Sequence, residues 1–375
     1  MAERRWAWAE VDLGAVGHNV RTLQAIAGAE TLLMAVVKAD GYGHGAVQVA
    51  RAALAAGADR LGVATVDEGS SLRAAGIDAP ILVLSEPPPG AAPKIVSDRL
   101  VPALHSRDFA IALGRAATLA SSTVPFHLKV DTGMNRVGVA AEDAADFLES
   151  LRGLPAISVE GVFTHFATAD APGDWEFERQ MERFSAFLEQ MRSRGTSTGI
   201  VHAANSAAAI LRPEARFGMV RCGIAVYGLH PAETTVGKAD LRPAMSVKAR
   251  VARVRSVAMG EGVSYGFTYH AASPTVIATL PLGYADGVRR GLSNAMRVLV
   301  HGVECRQVGR VCMDQLMVEV PRGLTVRVGD EAVIVGTQGE ASVTLDEQAA
   351  LVDTINYEIA CGYGARLHRR YTGGS

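Results

Sequence analysis

Short apolar runs alternate with longer stretches of helical period over roughly the first 230 residues. The runs are rich in β-branched residues, and the stretches between them carry apolar residues at i, i+3 and i+4 and begin at acidic or small polar residues that suit helix N-caps. Eight strands, each followed by a helix, predict a closed parallel (β/α)8 barrel of the TIM type. The strand-like runs are residues 31–38, 60–66, 80–85, 100–104, 124–130, 158–166, 199–205 and 218–228.

An open, doubly wound sheet is the alternative fold for this pattern. Its usual GxGxxG fingerprint would follow the first strand, and the residues after 31–38 lack it. The closed barrel is therefore the preferred interpretation.

The pattern changes at about residue 240. Segments at 246–260, 275–283, 295–320 and 324–336 alternate apolar and polar residues and carry glycine-bearing turns, which predicts a mainly antiparallel β domain. One helix follows it, opened by the capping box of Thr344 and Glu347. The expected domains are an N-terminal strand that packs on the β domain, a barrel and a C-terminal β domain, at residues 1–10, 11–235 and 236–375.

Composition and charge narrow the function classes. The chain has 375 residues, of which 49% are hydrophobic, so it can build a large domain and a smaller one. The 37 basic and 39 acidic residues are nearly balanced, so the charge does not indicate binding to nucleic acid or to an anionic membrane. A small-molecule enzyme or a partner-binding protein remains.

The cysteines and the N-terminus indicate the compartment. Cys222, Cys305, Cys312 and Cys361 form no CxxC pair and no metal-like spacing, so they read as core thiols and no metal site is expected. The first residues lack the apolar core of a signal peptide, and no run reaches the ~18 apolar residues of a membrane span. We therefore expect a cytoplasmic protein.

Polar residues stand at the C-terminal ends of the predicted barrel strands, where barrel enzymes carry their reactive groups. Each of them alone fits the ordinary tendency of strands to end in polar residues. Taken together, they predict a site at one end of the barrel. They are Lys38 after strand one, Lys129 and Arg136 at strand five, His165 at strand six, Asn205 and Ser206 at strand seven, and Arg221, Gly223 and Ile224 at strand eight.

These residue types point to one cofactor. A serine hydroxyl after strand seven and glycine-containing backbone after strand eight form the phosphate cradle that barrels often place there. Close to Arg136 and Arg221, the ammonium form of Lys38 would be disfavoured, which suits an imine-forming amine. A phosphate site together with an aldehyde-seeking lysine indicates pyridoxal 5'-phosphate.

Motifs spread over nearly the whole chain resemble those of bacterial alanine racemase, a pyridoxal-phosphate-dependent isomerase family. The lysine motif alone is shared with other barrel-type pyridoxal enzymes, whereas the later GVSYG and GRVCMD motifs are more specific. In chain order the motifs are AVVKADGYGHG, VDTGMNRVG, THFATAD, HAANSAA, VRCGIAVYG, GVSYGFTY, LPLGYADG, GRVCMDQ and INYEI.

The resemblance implies a role for each candidate residue. Lys38 would form the Schiff base with the cofactor and act as one catalytic base, and Tyr265 would be the second base. Lys129 matches a lysine that is often carbamylated in this family and then pairs with Arg136. Tyr284 is open between a role at the substrate entrance and packing between domains. The implied cofactor contacts are Lys38, Tyr42, His165, Asn205, Ser206, Arg221, Gly223 and Ile224, and the implied substrate contacts are Arg136, Met313, Lys129 and Tyr284.

The resemblance also implies a homodimer, in which the tyrosine and methionine of the partner's β domain complete each site. Racemisation needs two bases on opposite faces of the α-carbon, which a lysine and a tyrosine of another domain can supply. An arginine at the ring nitrogen leaves the pyridine neutral and a weaker electron sink, which disfavours side reactions. The implied function is the interconversion of L- and D-alanine, supplying D-alanine for peptidoglycan.

The sequence leaves three alternatives open. One is a racemase of broader specificity that also accepts serine. Another is a decarboxylase of the same architecture, against which Arg221 argues because such enzymes are expected to place an acidic residue at the ring nitrogen. The third is a non-catalytic pyridoxal-phosphate homeostasis protein, which would lack the β domain.

One position departs from the family. Several relatives carry a tyrosine near the C-terminus that helps to bind phosphate or narrows the entrance, and a gap-free match places Ala365 there. Tyr363 or Tyr357 could substitute for it. The lost hydroxyl leaves phosphate affinity and the exclusion of larger substrates open.

Overall fold

The computed structural model describes residues 5–171 and 173–374, and these residues form two compact units. Of the described residues, one unit comprises 14–41 and 46–243, and the other comprises 5–13, 42–45 and 244–374. We call them the barrel unit and the β unit.

Their bounds differ from the expected domains of 1–10, 11–235 and 236–375 for local reasons. The N-terminal strand runs over Ala7–Asp12, and the Asp12 amide donates to the Ala244 carbonyl at 2.8 Å, so that the strand belongs to the β unit up to its last residue. At the other end, Arg242 exchanges two hydrogen bonds with the Asn19 side chain, at 2.7 and 2.9 Å, which keeps the chain in the barrel unit up to residue 243. Residues 1–4 of the expected N-terminal strand lie outside the described residues.

The barrel unit contains a closed sheet of eight parallel strands, as the sequence pattern predicts. Consecutive strands pair in chain order, and the last strand pairs with the first. The strands are Leu32–Val36, Arg60–Val63, Ile81–Val83, Val101–Leu104, Val124–Asp131, Ile157–Phe163, Ile200–His202 and Met219–Cys222; a two-residue strand, Val139–Ala140, pairs with the end of the fifth.

Helices follow the barrel strands, and several begin at the side-chain caps that the sequence indicates. Ser106 and Asp174 each accept a hydrogen bond from an amide in the first turn, which satisfies a donor that the helix itself leaves unpaired. The α-helices of this part of the chain are Leu13–Ala27, Ala46–Ala55, Val66–Ala74, Ala92–Ser97, Arg107–Leu119, Ala144–Ser150, Trp175–Ser193 and Ser206–Leu211, and short 3-10 helices span Pro89–Ala91, Pro213–Ala215, Ile224–Tyr227 and Glu233–Thr235.

The β unit is mainly antiparallel, with the N-terminal strand in its largest sheet. That sheet runs, in spatial order, Val303–Arg306, Arg297–Val300, Glu331–Gln338, Met245–Arg250, Ala7–Asp12 and His368–Thr372, and Ala341–Val343 pairs with its third strand. A three-stranded sheet consists of Arg253–Val257, Thr275–Leu280 and Leu316–Val320, and a two-stranded one of Gly262–Val263 and Tyr269–His270.

Two α-helices, Leu345–Leu351 and Asn356–Gly362, complete the β unit, with 3-10 helices at Tyr265–Phe267, Tyr284–Asp286 and Arg290–Leu292. The predicted capping box is present: Thr344 accepts from the Glu347 amide, and the Glu347 carboxylate accepts from the Thr344 amide. Among the described residues, no helix combines the length and the apolar character needed to cross a bilayer.

Candidate active site

Lys38 stands at the start of a left-handed turn. The first barrel strand ends at Val36, two residues earlier than expected, although the Val37 amide still donates to the Gly62 carbonyl of the neighbouring strand at 2.8 Å. The next residues depart from strand geometry, because Ala39 and Asp40 have φ of 52° and 51°. The sequence pattern therefore predicts the end of the strand near which Lys38 lies, but it does not predict the left-handed turn that carries this residue.

Glu68 holds this turn in place. Its Oε1 accepts the Ala39 amide at 2.7 Å, and its Oε2 accepts the Ala64 amide at 2.7 Å, so one carboxylate joins the loops that follow the first two strands. Asp40 accepts the Ala46 amide at 2.9 Å. A non-glycine residue in left-handed backbone costs on the order of 1–3 kcal/mol. The turn persists because these hydrogen bonds fix it.

Arg221 lies on the eighth strand with only 4% of its surface exposed. Its Nη2 donates to the Thr164 and Ala203 carbonyls, at 2.8 and 2.9 Å, and contacts His165 Nδ1 at 3.0 Å. Its Nη1 lies 3.1 Å from His202 Nδ1. Burial lowers the pKa of Arg221 to about 9, so the guanidinium stays charged at neutral pH. Its Nε–H donates to no acceptor among the described residues and can serve a ligand.

His165 is a neutral ring beside this guanidinium. It follows the sixth strand by two residues, and its carbonyl accepts the Gln180 side chain at 3.0 Å. Burial, and then the charge of Arg221, hold the pKa of His165 well below its usual value. Because Arg221 only donates, His165 Nδ1 accepts and the ring proton resides on Nε2.

Lys129 is a buried amine on the fifth strand, 4% exposed. Its Nζ donates to the Val130 carbonyl at 2.9 Å and lies 5.5 Å from the centre of the Phe163 ring. Burial is the main cause that lowers the pKa of Lys129 to about 7, and the charges of Arg221 and Arg136 contribute. Arg136 itself is exposed and donates no side-chain hydrogen bond within the described residues. The pair combines a weakly basic amine with an available guanidinium.

Ser206 links the loops after strands seven and eight. The seventh strand ends at His202, earlier than the sequence pattern indicated, and Asn205 caps the following helix through the Ala208 amide at 3.0 Å. Ser206 Oγ accepts the Gly223 amide at 2.9 Å and lies 3.5 Å from the Ala225 amide. The hydroxyl therefore acts as an acceptor inside the protein, and its own proton is left to donate to an anion. Gly223 precedes the 3-10 helix that begins at Ile224, so both residues contribute to the same loop.

Tyr265 is presented by a strained turn of the β unit. Ser264 has φ of 66°, and its Oγ donates to the Arg310 carbonyl at 2.7 Å, which anchors the turn. A Cβ at Gly262 would lie 2.3 Å from the Phe267 ring, so only glycine fits there. The side chain of Tyr265 is 72% exposed and borders a cavity of about 970 Å³ that Met313 also lines. Its hydroxyl makes no hydrogen bond among the described residues.

Met313 and Tyr284 lie on two loops of the β unit that bind each other. The Tyr284 amide donates to the Cys312 carbonyl at 2.9 Å, and the Ala285 amide donates to the Met313 carbonyl at 3.0 Å. A Cβ at Gly283 would lie 2.1 Å from the Cys312 carbonyl oxygen, so the close approach requires glycine. Both side chains are partly exposed, Met313 at 53%.

Two tyrosines of the β unit bear on the departure at Ala365. Tyr363 is fully buried, its hydroxyl donates to Gln348 Oε1 at 2.9 Å, and burial raises its pKa above the usual range. It is therefore engaged inside the unit. Tyr357 contacts Tyr42, with ring centres 6.1 Å apart, so it remains the nearer candidate to assist Tyr42.

The sequence pattern does not single out five polar residues of the barrel unit: Arg60, Glu68, His127, Glu160 and His202. Four of them stand in the middle or at the start of runs that predict buried strands, such as FHL and VEGV. A polar side chain at a buried strand position is the signal that identifies them.

Models of known protein families match this chain in both units. The N-terminal domain of alanine racemase matches residues 11–231, and its C-terminal domain matches residues 244–371. The chain belongs to the alanine racemase family. An alanine racemase of Symbiobacterium thermophilum is 50% identical over 369 residues, which cover 98% of each chain.

Solved structures of known racemases are similar to this chain in fold as well. The alanine racemase of the D-cycloserine producer Streptomyces lavendulae is 39% identical with a TM-score of 0.94, covering 99% of this chain and 98% of that one. A histidine racemase of Leuconostoc mesenteroides subsp. sake is 29% identical with a TM-score of 0.91 and covers 99% of each chain. The barrel followed by an antiparallel β unit is thus the alanine racemase fold.

Proposed function

We propose that this enzyme interconverts L- and D-alanine by a two-base mechanism with bound pyridoxal 5'-phosphate, and so supplies D-alanine for peptidoglycan. The observation that carries the proposal is the combination, in one alanine racemase chain, of Lys38 on a fixed turn with Tyr265 exposed on the β unit. Arg221, Lys129 and Arg136 are basic residues close enough to affect one another, and they add positive charge to the proposed site.

The donor set of the barrel unit fits that cofactor. Ser206 keeps a hydroxyl proton beside the Gly223 amide, and with Ile224 and Asn205 of the same unit it would bind the phosphate. Tyr42, which belongs to the β unit, is a further proposed phosphate contact. The unused Nε–H of Arg221 suits an unprotonated ring nitrogen. The neutral ring of His165 would lie against the pyridine. When bound, the cofactor withdraws electrons from the substrate's α-carbon, which makes its proton removable.

Lys38 and Tyr265 would then move that proton. Lys38 Nζ takes it on one face of the α-carbon, and the Tyr265 hydroxyl returns one on the opposite face. The turn that Glu68 fixes limits where Lys38 can reach, and the turn at Ser264 does the same for Tyr265.

Arg136 and Lys129 would bind the substrate carboxylate, with the Met313 amide and with Tyr284 at the entrance. The exposed Arg136 guanidinium carries no internal partner among the described residues and can bind a carboxylate in a bidentate manner. Because the pKa of Lys129 is about 7, a large share of its amine is neutral at physiological pH and can react with CO2. We propose that Lys129 is carbamylated and pairs with Arg136.

We propose further that the enzyme is a homodimer with shared sites, in which Tyr265 of the partner subunit and Met313 of the partner subunit complete each site. The support is that Tyr265 is exposed, lacks a hydrogen bond to the described residues and borders an open cavity. A large aromatic side chain in that state is typical of an interface. The cytoplasmic location expected from the sequence stays a prediction.

A broader amino-acid racemase is the second candidate. A structural neighbour of this fold is named for histidine, and Ala365 leaves no aromatic ring at a position where several relatives have a tyrosine. Serine, which exceeds alanine by one hydroxyl, is the substrate to test. The decarboxylase and homeostasis alternatives are disfavoured by Arg221 and by the presence of the β unit.

The proposal is tested by purification, visible absorption and a chiral assay with L-alanine, L-serine and L-lysine. We expect a cofactor absorption band and racemisation of alanine. Borohydride reduction followed by peptide mapping should find the pyridoxyl group on Lys38, and a label on Lys129 instead would overturn that assignment. A protein that binds no cofactor and leaves L-alanine unchanged would refute the function.

A further inference from the structure

Five side chains of the barrel unit form one continuous chain of hydrogen bonds through the barrel interior. Arg221 Nη1 lies 3.1 Å from His202 Nδ1, and His202 Nε2 lies 2.7 Å from His127 Nδ1. His127 Nε2 lies 3.0 Å from Glu160 Oε2. The two Glu160 oxygens accept both Nη groups of Arg60, each at 3.0 Å. We call these five residues the polar chain.

The direction of every bond in the polar chain is fixed. A guanidinium only donates, so His202 Nδ1 must accept from Arg221. A neutral imidazole then carries its proton on Nε2, and His202 donates to His127 Nδ1. His127 in turn donates from Nε2 to the carboxylate. Both rings are therefore neutral and hold the same tautomer.

The surroundings enforce those protonation states. Burial is the main cause that lowers the pKa of both His127 and His202, and His202 also feels His127, Arg221, Arg60 and Lys129. The hydrogen bond from His127, together with Arg60, lowers the pKa of Glu160 to about 2, which keeps it a carboxylate. A second proton on either ring would set two donors against each other.

The ring positions are built into the fold. A Cβ at Gly161 would lie 2.6 Å from the His127 ring and 2.6 Å from the Ile200 carbonyl oxygen, so glycine is required beside this histidine. The Phe163 ring stacks on His202 at 4.8 Å and 7°. His127 and His202 are both fully buried, in a region where barrels usually pack bulky apolar residues. A polar chain in such a core is tolerated because each of its members is satisfied.

We propose that Glu160, His127 and His202 are positioning residues for Arg221. The Glu160 carboxylate is connected to the Arg221 guanidinium by hydrogen bonds through the two neutral imidazoles of His127 and His202. The inference rests on the proposed function, in which Arg221 faces the cofactor's ring nitrogen. The polar chain holds one Nη group of Arg221 toward His202 and so fixes the plane of the guanidinium. The direction of the Arg221 Nε–H is therefore set by a series of hydrogen bonds whose other end is the Arg60–Glu160 pair, which is partly exposed to solvent.

The first test uses the cofactor-free protein. Nitrogen-15 NMR of labelled histidines at neutral pH should find His127 and His202 neutral, each with its proton on Nε2. A proton on Nδ1 of His202, or a doubly protonated ring, would show that the hydrogen-bond directions assigned to the polar chain are wrong. This arm depends on neither activity nor variants.

The second test compares Glu160→Gln with Glu149→Gln. The first substitution keeps the shape and an acceptor but removes the charge, whereas Glu149 pairs with Arg152 on the surface of the same unit and serves as the matched control. We expect E160Q to bind pyridoxal phosphate about tenfold more weakly, the low end of what removing a supporting partner costs at metal-bound histidines. It should also shift the nitrogen-15 signal of the labelled pyridine ring, and E149Q should do neither.

The outcomes separate the two ideas. If E160Q only lowers thermal stability and leaves cofactor affinity and the pyridine signal equal to those of E149Q, the chain serves folding alone and the positioning role is overturned. If the wild-type protein binds no pyridoxal phosphate, the proposed function fails, and the positioning role fails with it. If the wild-type protein binds the cofactor and E160Q shifts both readouts, the positioning role is supported.

Discussion

At the scale of single residues, Lys129 shows how burial changes an amine. Its pKa falls from 10.5 to about 7, because the charged form loses hydration and lies near two arginines. Below pH 7 the lysine is charged in the folded and the unfolded protein, and the fold bears the full cost of burying the charge. Between pH 7 and 10.5 only the unfolded chain keeps the proton, so stability rises with pH in that window.

Lys129→Met should remove this dependence. We expect the variant to be more stable than the wild type below pH 7, by at most about 5 kcal/mol, since one pKa unit corresponds to about 1.4 kcal/mol. The difference should shrink between about pH 7 and 10. Urea unfolding in CO2-free buffer at several pH values measures it. An advantage of K129M that is the same near pH 6 and near pH 10 would contradict the lowered pKa.

At the scale of elements, Glu68 is one of the carboxylates that stabilise the left-handed turn after the first barrel strand. Glu68 closes a capping box with Thr65 and also accepts the Ala39 amide beside Lys38. The control is Glu347, which closes the same kind of box with Thr344 in the β unit. Glu68→Ala and Glu347→Ala should each lower the free energy of unfolding by about 1–2 kcal/mol.

Only Glu68→Ala should loosen the turn itself. Its loss leaves the Ala39 amide without the acceptor that stabilises two non-glycine residues at positive φ. We expect faster hydrogen exchange at Ala39 and a lower cofactor affinity in this variant, with neither change in E347A. Equal exchange rates in the two variants would show that the turn is fixed by other contacts.

Local sequence patterns determine some features of these elements and leave others undetermined. The eight strands, the β domain and the capping box of Thr344 follow from periodicity and local chemistry, and the structure confirms them. The sequence pattern predicts Lys38, His165 and Ser206 at strand ends, whereas each lies at least two residues beyond its strand. Loop conformation depends on long-range partners such as Glu68, which no local pattern reveals.

The sequence pattern does not predict the polar chain for a related reason, because its members come together only in the folded protein. His127, Glu160 and His202 belong to three different strands, and each alone reads as an isolated polar residue in an apolar run. Their registers bring them together: His127 pairs with Gly161, next to Glu160, and Phe163 pairs with His202. A predicted barrel order gives the neighbours, but the register decides which side chains touch.

At the scale of the whole molecule, the proposed dimer makes a prediction that a monomeric enzyme would not. If each site takes Lys38 from one protomer and Tyr265 from the other, a Lys38→Ala protomer and a Tyr265→Phe protomer are both inactive as homodimers. Their heterodimer contains one site with both groups intact and one with neither. Mixing the two should therefore restore up to one working site per heterodimer.

The direction of proton transfer sharpens this experiment. Two bases on opposite faces each act on one enantiomer, so Tyr265→Phe should abolish racemisation and most loss of the α-proton from L-alanine, while Lys38 still exchanges the α-proton of D-alanine. Exchange into D2O with each enantiomer measures this by NMR. Subunit exchange is verified by mass spectrometry of differently tagged protomers before activity is read. If heterodimers form and no racemisation returns, Tyr265 either acts within its own protomer or is not the base.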